Sequence, residues 1–226
     1  MILTKEKLNI LKASLFKHNI EFDKNKYYLH DVNSGVEANC GIIGDTFVIV
    51  FHATDSKFVD WLTNFLYFFK KMPYINSKKS KVRIHSGYAN GYMAIRDALK
   101  TQFSLSKKKM LFVCGYSQGG GLAPICALDF QYNFDLDYIE VLVGEPPRVF
   151  NKAGKISYEK RVPNTLRLDY GNDIVPKVPP ILFGFRHIGK LLHFGPERKW
   201  WKISFTDHNP KKGLYKEVEK YINDNN

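Results

Sequence analysis

Val113-Cys114-Gly115-Tyr116-Ser117-Gln118-Gly119-Gly120-Gly121 is the stretch on which the reading of this chain turns. Met110 to Cys114 is a short apolar run after the solvated lysines Lys107, Lys108 and Lys109, and the glycines lead into a largely apolar stretch, Leu122 to Phe130. The order is strand, turn, helix, with Ser117 at the turn. A serine hydroxyl is a weak nucleophile. It becomes effective when a sharp strand-to-helix turn projects it toward a base and sets backbone amides where an oxyanion would form. Gly115-x-Ser117-x-Gly119 has the pattern of such a nucleophile elbow, because its glycines lack the β-carbons that would collide where strand and helix backbones approach. A Gly-rich turn can instead hold a phosphate at the helix N-terminus. No Gly-Lys-Ser/Thr follows here, and no Gly-x-Gly-x-x-Gly opens the first βα unit, so the elbow ranks first.

Such a serine needs a general base and an acid to orient it, and behind an elbow they follow in the order serine, acid, histidine. His18, His30, His52 and His85 precede Ser117, which leaves His187, His193 and His208. His208 is preferred over His187, with His193 last. It follows the apolar stretch Trp201 to Phe205, read as a strand, and sits in Thr206-Asp207-His208-Asn209-Pro210, a loop able to aim an imidazole at the elbow. Asp173, in the turn Gly171-Asn172-Asp173-Ile174-Val175-Pro176 after the apolar strand Thr165 to Leu168, is the preferred acid ahead of Asp169, Asp207 and Glu145. It would hold the His208 tautomer and stabilise the imidazolium. This chemistry requires no cofactor.

Outward from the elbow, strand and helix signals alternate. Thr4 can cap an opening helix with Leu8, Leu11, Leu15 and Phe16 at helical spacing. Val36, Ala38, Cys40 and Ile42 alternate, Gly44-Asp45 turns the chain, and Phe47 to His52 resume as a β-branched run. Phe58, Trp61, Leu62, Phe65, Phe68, Phe69 and Met72 recur at helical spacing up to Pro73, which predicts a helix with one very apolar face. Further helices are expected over Tyr88 to Leu105 and Leu214 to Ile222, and a strand over Tyr138 to Val143; Asp173 to Trp201 reads as one long irregular connection. The alternation predicts an α/β fold, a central mostly parallel sheet with helices on both faces. With no repeat, low-complexity tract or linker in 226 residues, one domain over residues 1–226 is expected.

Composition narrows the function further. Hydrophobic content of 44% and aromatic content of 15% belong to a folded chain. Met1 to Ile20 carries lysines throughout with no continuous apolar segment before a small-residue site, so a cytoplasmic location is expected, with signal-independent export or release left open. Cys40, Cys114 and Cys126 read as buried free thiols and show no metal-ligand spacing, so no metal site is expected. A net charge of +12 favours anionic partners, but the lysines are spread widely and no zinc-finger, basic-zipper or ribonucleoprotein motif accompanies them. A general solvated surface is therefore the first meaning of this charge, contact with an anionic membrane surface the second, and nucleic acid is not expected. The aromatics Phe183, Phe185, Phe194, Trp200 and Trp201 among Arg186, Lys190, Arg198, Lys199 and Lys202 suit such an interface, or an ordinary β-region before the His208 loop. Nothing in the sequence sets an oligomeric state.

From about Val36 to Lys216 the chain resembles the class 3, fungal-type triacylglycerol lipases of the α/β-hydrolase superfamily. Phe51-His52-Ala53-Thr54 is similar to the family's Phe-Arg-Gly-Thr/Ser strand end, followed by Asp60-Trp61-Leu62-Thr63-Asn64. His85-Ser86-Gly87-Tyr88, the Gly115 to Gly120 elbow, Gly144-Glu145-Pro146-Pro147-Arg148-Val149, the Asn172 to Pro180 segment and Asp207-His208 follow in the family's order. The resemblance implies an α/β-hydrolase fold and a serine carboxylester hydrolase acting on lipid acyl esters through Ser117, Asp173 and His208. It assigns the oxyanion hole to the backbone amides of Thr54 and Gln118. Triacylglycerol is the first substrate, with phospholipase A1 or short-chain esterase activity as alternatives. A noncatalytic membrane- or nucleic-acid-binding module on the same fold is the reading from another class. The helix carrying Phe58, Trp61, Leu62 and Phe65 reads equally as core packing or as a lid over an acyl site. Departures fall at His52-Ala53, Tyr116, Gln118 and the extra proline of Pro146-Pro147.

Overall fold

A computed structural model of the chain describes residues 1–15, 20–53, 68–72, 80–199 and 201–225. Thr54, Phe58, Trp61, Leu62 and Phe65 lie outside the described residues. Helix α1 (Lys5–Ala13) opens the chain, with the Thr4 hydroxyl accepting a hydrogen bond from the Lys7 amide. Three strands follow, β1 (Lys24–Asp31), β2 (Val36–Ile43) and β3 (Thr46–Phe51), paired antiparallel in sequence order. Two short strands, β4 (Phe69–Lys71) and β5 (Arg83–His85), lead into α2 (Ser86–Ser106). Then come β6 (Met110–Tyr116), α3 (Gln118–Asn133), β7 (Tyr138–Gly144), β8 (Phe150–Asn151), α4 (Lys152–Arg161) and β9 (Thr165–Tyr170). The last elements are β10 (Phe185–Arg186), β11 (Lys190–Phe194) and α5 (Leu214–Asn225).

Among the described residues the main sheet has seven strands in the order β1-β2-β3-β6-β7-β9-β11, parallel from β3 onward. Its pleat sorts side chains into two cores. Phe47, Ile49 and Phe51 of β3, with Leu111 and Val113 of β6, pack against α2 and α3 on one face. Val48 and Val50, with Phe112 and Cys114, pack against α1 and α5 on the other. Strands buried on both faces read as continuous apolar runs, as β3 and β6 do. Strand β1 sits at the sheet edge, where Lys24 and Lys26 are exposed, and its polar face explains why no strand signal stands out there. The fold is the expected α/β class.

Several elements differ from the sequence expectation. The apolar stretch Phe58 to Met72 was expected to be one helix, yet Phe69–Lys71 pairs antiparallel with β5. Phe69 there stacks on Phe185, with ring centres 4.1 Å apart. At Phe69 to Lys71 the helical spacing is overridden by this pairing with β5. Trp201 to Phe205 is not a strand: within it Ser204 forms an isolated bridge to Asp173, and Trp201, Ile203 and Phe205 stay exposed. The strand closing the sheet is β11, inside the stretch read as irregular, bounded by Gly189 and Gly195 at φ of 70° and 75°. Helix α4 was also not anticipated, because its ten residues are polar on most sides and bury mainly Gly154 and Tyr158.

One buried charge also joins α2 to α3. Asp129 of α3 is fully buried and accepts hydrogen bonds from Tyr92 Oη and Arg96 Nε of α2, each at 2.7 Å. Removing one member of a buried ion pair leaves the other group in a poorly solvated place. Asp129→Ala should lower unfolding free energy by about 3 kcal/mol, measured by urea denaturation.

Candidate active site

Strand β6 ends at Tyr116 and α3 begins at Gln118, so Ser117 alone makes the turn. Its φ of 55° and ψ of −116° lie in a region that L-residues rarely occupy. The surrounding structure imposes that strain. A β-carbon on Gly115 would stand 2.3 Å from the Gly119 carbonyl carbon, and one on Gly119 would stand 2.4 Å from the Phe51 carbonyl oxygen. Three backbones, of β3, β6 and α3, therefore meet with no room for side chains, and the serine side chain is pushed out above the sheet. The Ser117 amide donates to the Gly144 carbonyl at the end of β7, 2.9 Å away.

Asp173 lies in the turn after β9 and is buried. Its Oδ1 accepts from the Val175 amide at 3.0 Å, which leaves Oδ2 pointing to His208. His208 stands in a short 3-10 turn, Thr206–His208, with its Nδ1 2.7 Å from Asp173 Oδ2 and its Nε2 2.9 Å from Ser117 Oγ. The structure thus brings together all three residues preferred from sequence. An Nδ1–H donated to Asp173 leaves Nε2 as the acceptor for the serine hydroxyl. Burial opposes a charge on His208, but hydrogen bonds to Asp173 and Glu145 outweigh it and hold the imidazole's proton above the ordinary range.

The other candidates go elsewhere. His187 is half-buried and bonded to the Pro176 carbonyl at 2.7 Å, and desolvation first, then nearby arginines, push its ionisation well down. On β11, His193 pairs with Asp169 at 2.6 Å, and Arg198 meets the same carboxylate at 2.8 Å. Asp207 accepts from the Asn172 amide at 2.8 Å and so secures the turn that carries Asp173. His85 caps α2 by accepting from the Gly87 amide, and burial lowers its ionisation to about 3. Glu145, a lesser choice for the acid, enters the site beside Asp173: its Oε2 is 3.2 Å from His208 Nδ1. Sequence order gave no reason to place two carboxylates on one imidazole, since they follow different strands.

Near the strand end that precedes residue 54, the His52 ring bonds the Asn39 side chain and the Ser14 carbonyl. These contacts tie the end of β3 to β2 and to the residue after α1. Beside the elbow, an open cleft of about 560 Å³ includes Gln118, Val36, Tyr88, Leu122, Asp31 and Ser34 in its lining.

A buried serine on a strand-to-helix elbow, bonded to a histidine that is bonded to an aspartate, on a mostly parallel sheet, defines an α/β-hydrolase-fold protein. The chain belongs to the class 3 lipase family, whose model matches residues 48–183, more than half of its length. It is 26% identical to a lipase of Rhizomucor miehei over 195 residues, 81% of this chain and 47% of that protein. It is 31% identical to a triacylglycerol lipase of Nicotiana tabacum over 124 residues, 50% of this chain and 22% of that protein. The chain therefore spans less than half the length of these curated relatives. A solved triacylglycerol lipase of Penicillium expansum shares the fold, with a TM-score of 0.73 and 17% identity over 84% of this chain and 77% of that one.

The elbow geometry is directly testable. Gly119→Ala must displace either β3 or α3, and misplacement of a reacting group by about 1 Å costs roughly 100-fold in rate. Labelling of Ser117 by a fluorophosphonate should fall by about that factor, read by mass spectrometry against time.

Proposed function

We propose that the chain is a serine carboxylester hydrolase that cleaves acyl esters of lipids. The observation that carries this reading is the single imidazole of His208, bonded through one nitrogen to Ser117 and through the other to Asp173. Ser117 Oγ attacks the ester carbonyl as His208 Nε2 takes its proton, and the imidazolium is stabilised by Asp173, which keeps its own charge. His208 then gives the proton to the departing alcohol, leaving the acyl group on Ser117. Water, activated by the same imidazole, releases the acid and restores the serine.

The oxyanion would face the N-terminus of α3. As the first residue of that helix, Gln118 has an amide with no carbonyl one turn back to bond. In this reading it is one oxyanion donor, and the amide of Thr54 is the second. The cleft that Gln118 helps to line offers a path for an acyl chain along Val36, Tyr88 and Leu122.

Neutral acylglycerol is the first substrate class, in keeping with the triacylglycerol and mono- and diacylglycerol lipases among the relatives. A specific surface favours phospholipid as the second. Leu182, Trp201 and Phe205 are 96%, 65% and 58% exposed, and the Phe205 carbonyl accepts from the amide of His208 itself. Lys177 binds the carbonyls of Lys199 and Lys202, which joins the loop bearing Trp201 to the segment that leads to Leu182. Exposed apolar side chains among lysines, beside the site, suit a peripheral approach to an anionic lipid surface. No helix among the described residues is long and apolar enough to cross a membrane.

Ser117→Ala and His208→Ala should each lower ester hydrolysis by at least about 1,000-fold, with folding checked by circular dichroism. Full activity in either variant would refute the mechanism. With wild-type protein, an ester series from short to long acyl chains, below and above aggregation, separates lipase from esterase behaviour. If the phospholipid reading holds, turnover on vesicles containing phosphatidylglycerol should exceed that on neutral glyceride and fall as salt is raised.

A further inference from the structure

Glu145 directly follows β7 and, like Ser117 at the end of the neighbouring strand, has a positive φ, of 45°. Its amide donates to the Leu168 carbonyl of β9 at 2.7 Å, and its side chain is wholly buried. Oε2 approaches His208 Nδ1 to 3.2 Å, on the same nitrogen that Asp173 Oδ2 meets at 2.7 Å. The hydroxyl of Tyr116, at the end of β6, donates to this same Glu145 oxygen and lies 2.6 Å from the carbonyl of His208. The residue before the nucleophile, where the chain departs from its family's pattern, is thus joined behind the imidazole to the carboxylate that follows the next strand.

Resting on the reading of Ser117, His208 and Asp173 given above, we infer that Glu145 is a second carboxylate on His208, a positioning residue that shares the imidazole Nδ1–H with Asp173. The two acids together then govern when Nε2 is free to take the serine proton. Glu145 is faced by Asp173, by His208, by Tyr116 of β6 and by Tyr215 of α5. From α1, Lys12 lies over the Tyr215 ring, 5.5 Å from its centre, and pairs with Glu219. Burial raises the proton affinity of the Glu145 carboxyl, the hydrogen bond from His208 works against that, and the charge on Asp173 adds to it. Glu145 and His208 consequently titrate as a pair rather than as two independent groups.

The sign is fixed by the role of the base. An imidazole accepts the serine proton only when neutral, and a negative neighbour favours its charged form. Glu145 therefore moves the acidic limb of the activity profile to higher pH, and its removal moves that limb down. Glu145→Gln keeps the size of the side chain and deletes the charge. The NMR titration of the His208 ring in the full chain should move down by about one pH unit. The acidic limb of kcat/KM should move with it while KM is unchanged. Tyr116→Phe removes the donor to Glu145, leaves the carboxyl more readily protonated, and should move both readouts the same way by less; it also serves if the Gln variant does not fold. Glu145→Asp restores the charge and should return the limb toward its wild-type place.

An unmoved His208 titration in folded Glu145→Gln, or in folded Tyr116→Phe if the former is unstable, overturns the inference. The titration needs no turnover. Wild-type protein that neither hydrolyses an ester nor reacts with a fluorophosphonate would overturn the proposed function, while the ring titration would still decide whether Glu145 shares the imidazole proton.

Discussion

The contact on which the rest depends is between backbones, at the point where β3, β6 and α3 come together around Gly115, Gly119 and the Phe51 carbonyl. Hydrogen there, in place of a methyl, lets the helix begin within touching distance of two strand ends. The serine between strand and helix is left with a backbone conformation it would not choose alone. Such strain persists because both faces of the sheet hold the strands in place. Phe47 and Ile49 anchor β3 on one side and Val48 and Val50 on the other, and β6 is anchored in the same alternating way. The site is thus a consequence of packing on both faces, and it stands at the carboxyl ends of the parallel strands, where βα turns converge.

Around that fixed serine, the other groups arrive on turns rather than on strands. Asp173 and His208 are far apart in the chain, and their turns are stitched together by small contacts. Ser204 bridges Asp173, Asp207 takes the Asn172 amide, and the His208 carbonyl meets Tyr116. These contacts explain why a histidine in a short 3-10 turn can hold two partners at hydrogen-bond distance without a strand beneath it. They also explain the behaviour of the weaker sequence candidates. Asp207 and Asp169 are real participants in the region, but one secures a turn and the other balances His193 and Arg198.

The charge balance at the centre differs from that of the whole chain. A protein with a net charge of +12 carries two buried carboxyl groups and one imidazole at its site, while its exposed cations stand at the surface. Long-range attraction and local proton chemistry are carried by different residues, so salt and pH act on them separately.

How much of this was legible in the sequence follows from the range of the forces involved. The elbow, its flanking strand and helix, the opening capped helix, the β2–β3 hairpin and the order of serine, acid and histidine are matters of local backbone sterics and side-chain periodicity, which neighbouring residues carry in plain view. Ser117, Asp173 and His208 could be named for that reason. Strands β4 and β11 could not, because Phe69 and the Lys190–Phe194 segment become strands through partners such as β5 and β9, and their own residues match other patterns as well or better. The exposed Trp201 to Phe205 stretch differs for the converse reason: apolar residues suggest a strand, but in the fold its strand pairing among the described residues is the single bridge of Ser204 to Asp173. Sequence alone determined the strand-to-helix turn that carries Ser117 and the class of fold, because a glycine-flanked turn is a local steric requirement. Only the tertiary structure decided that Glu145 joins Asp173 on one imidazole, because that meeting depends on adjacent parallel strands ending at the same level, and no spacing along the chain encodes it.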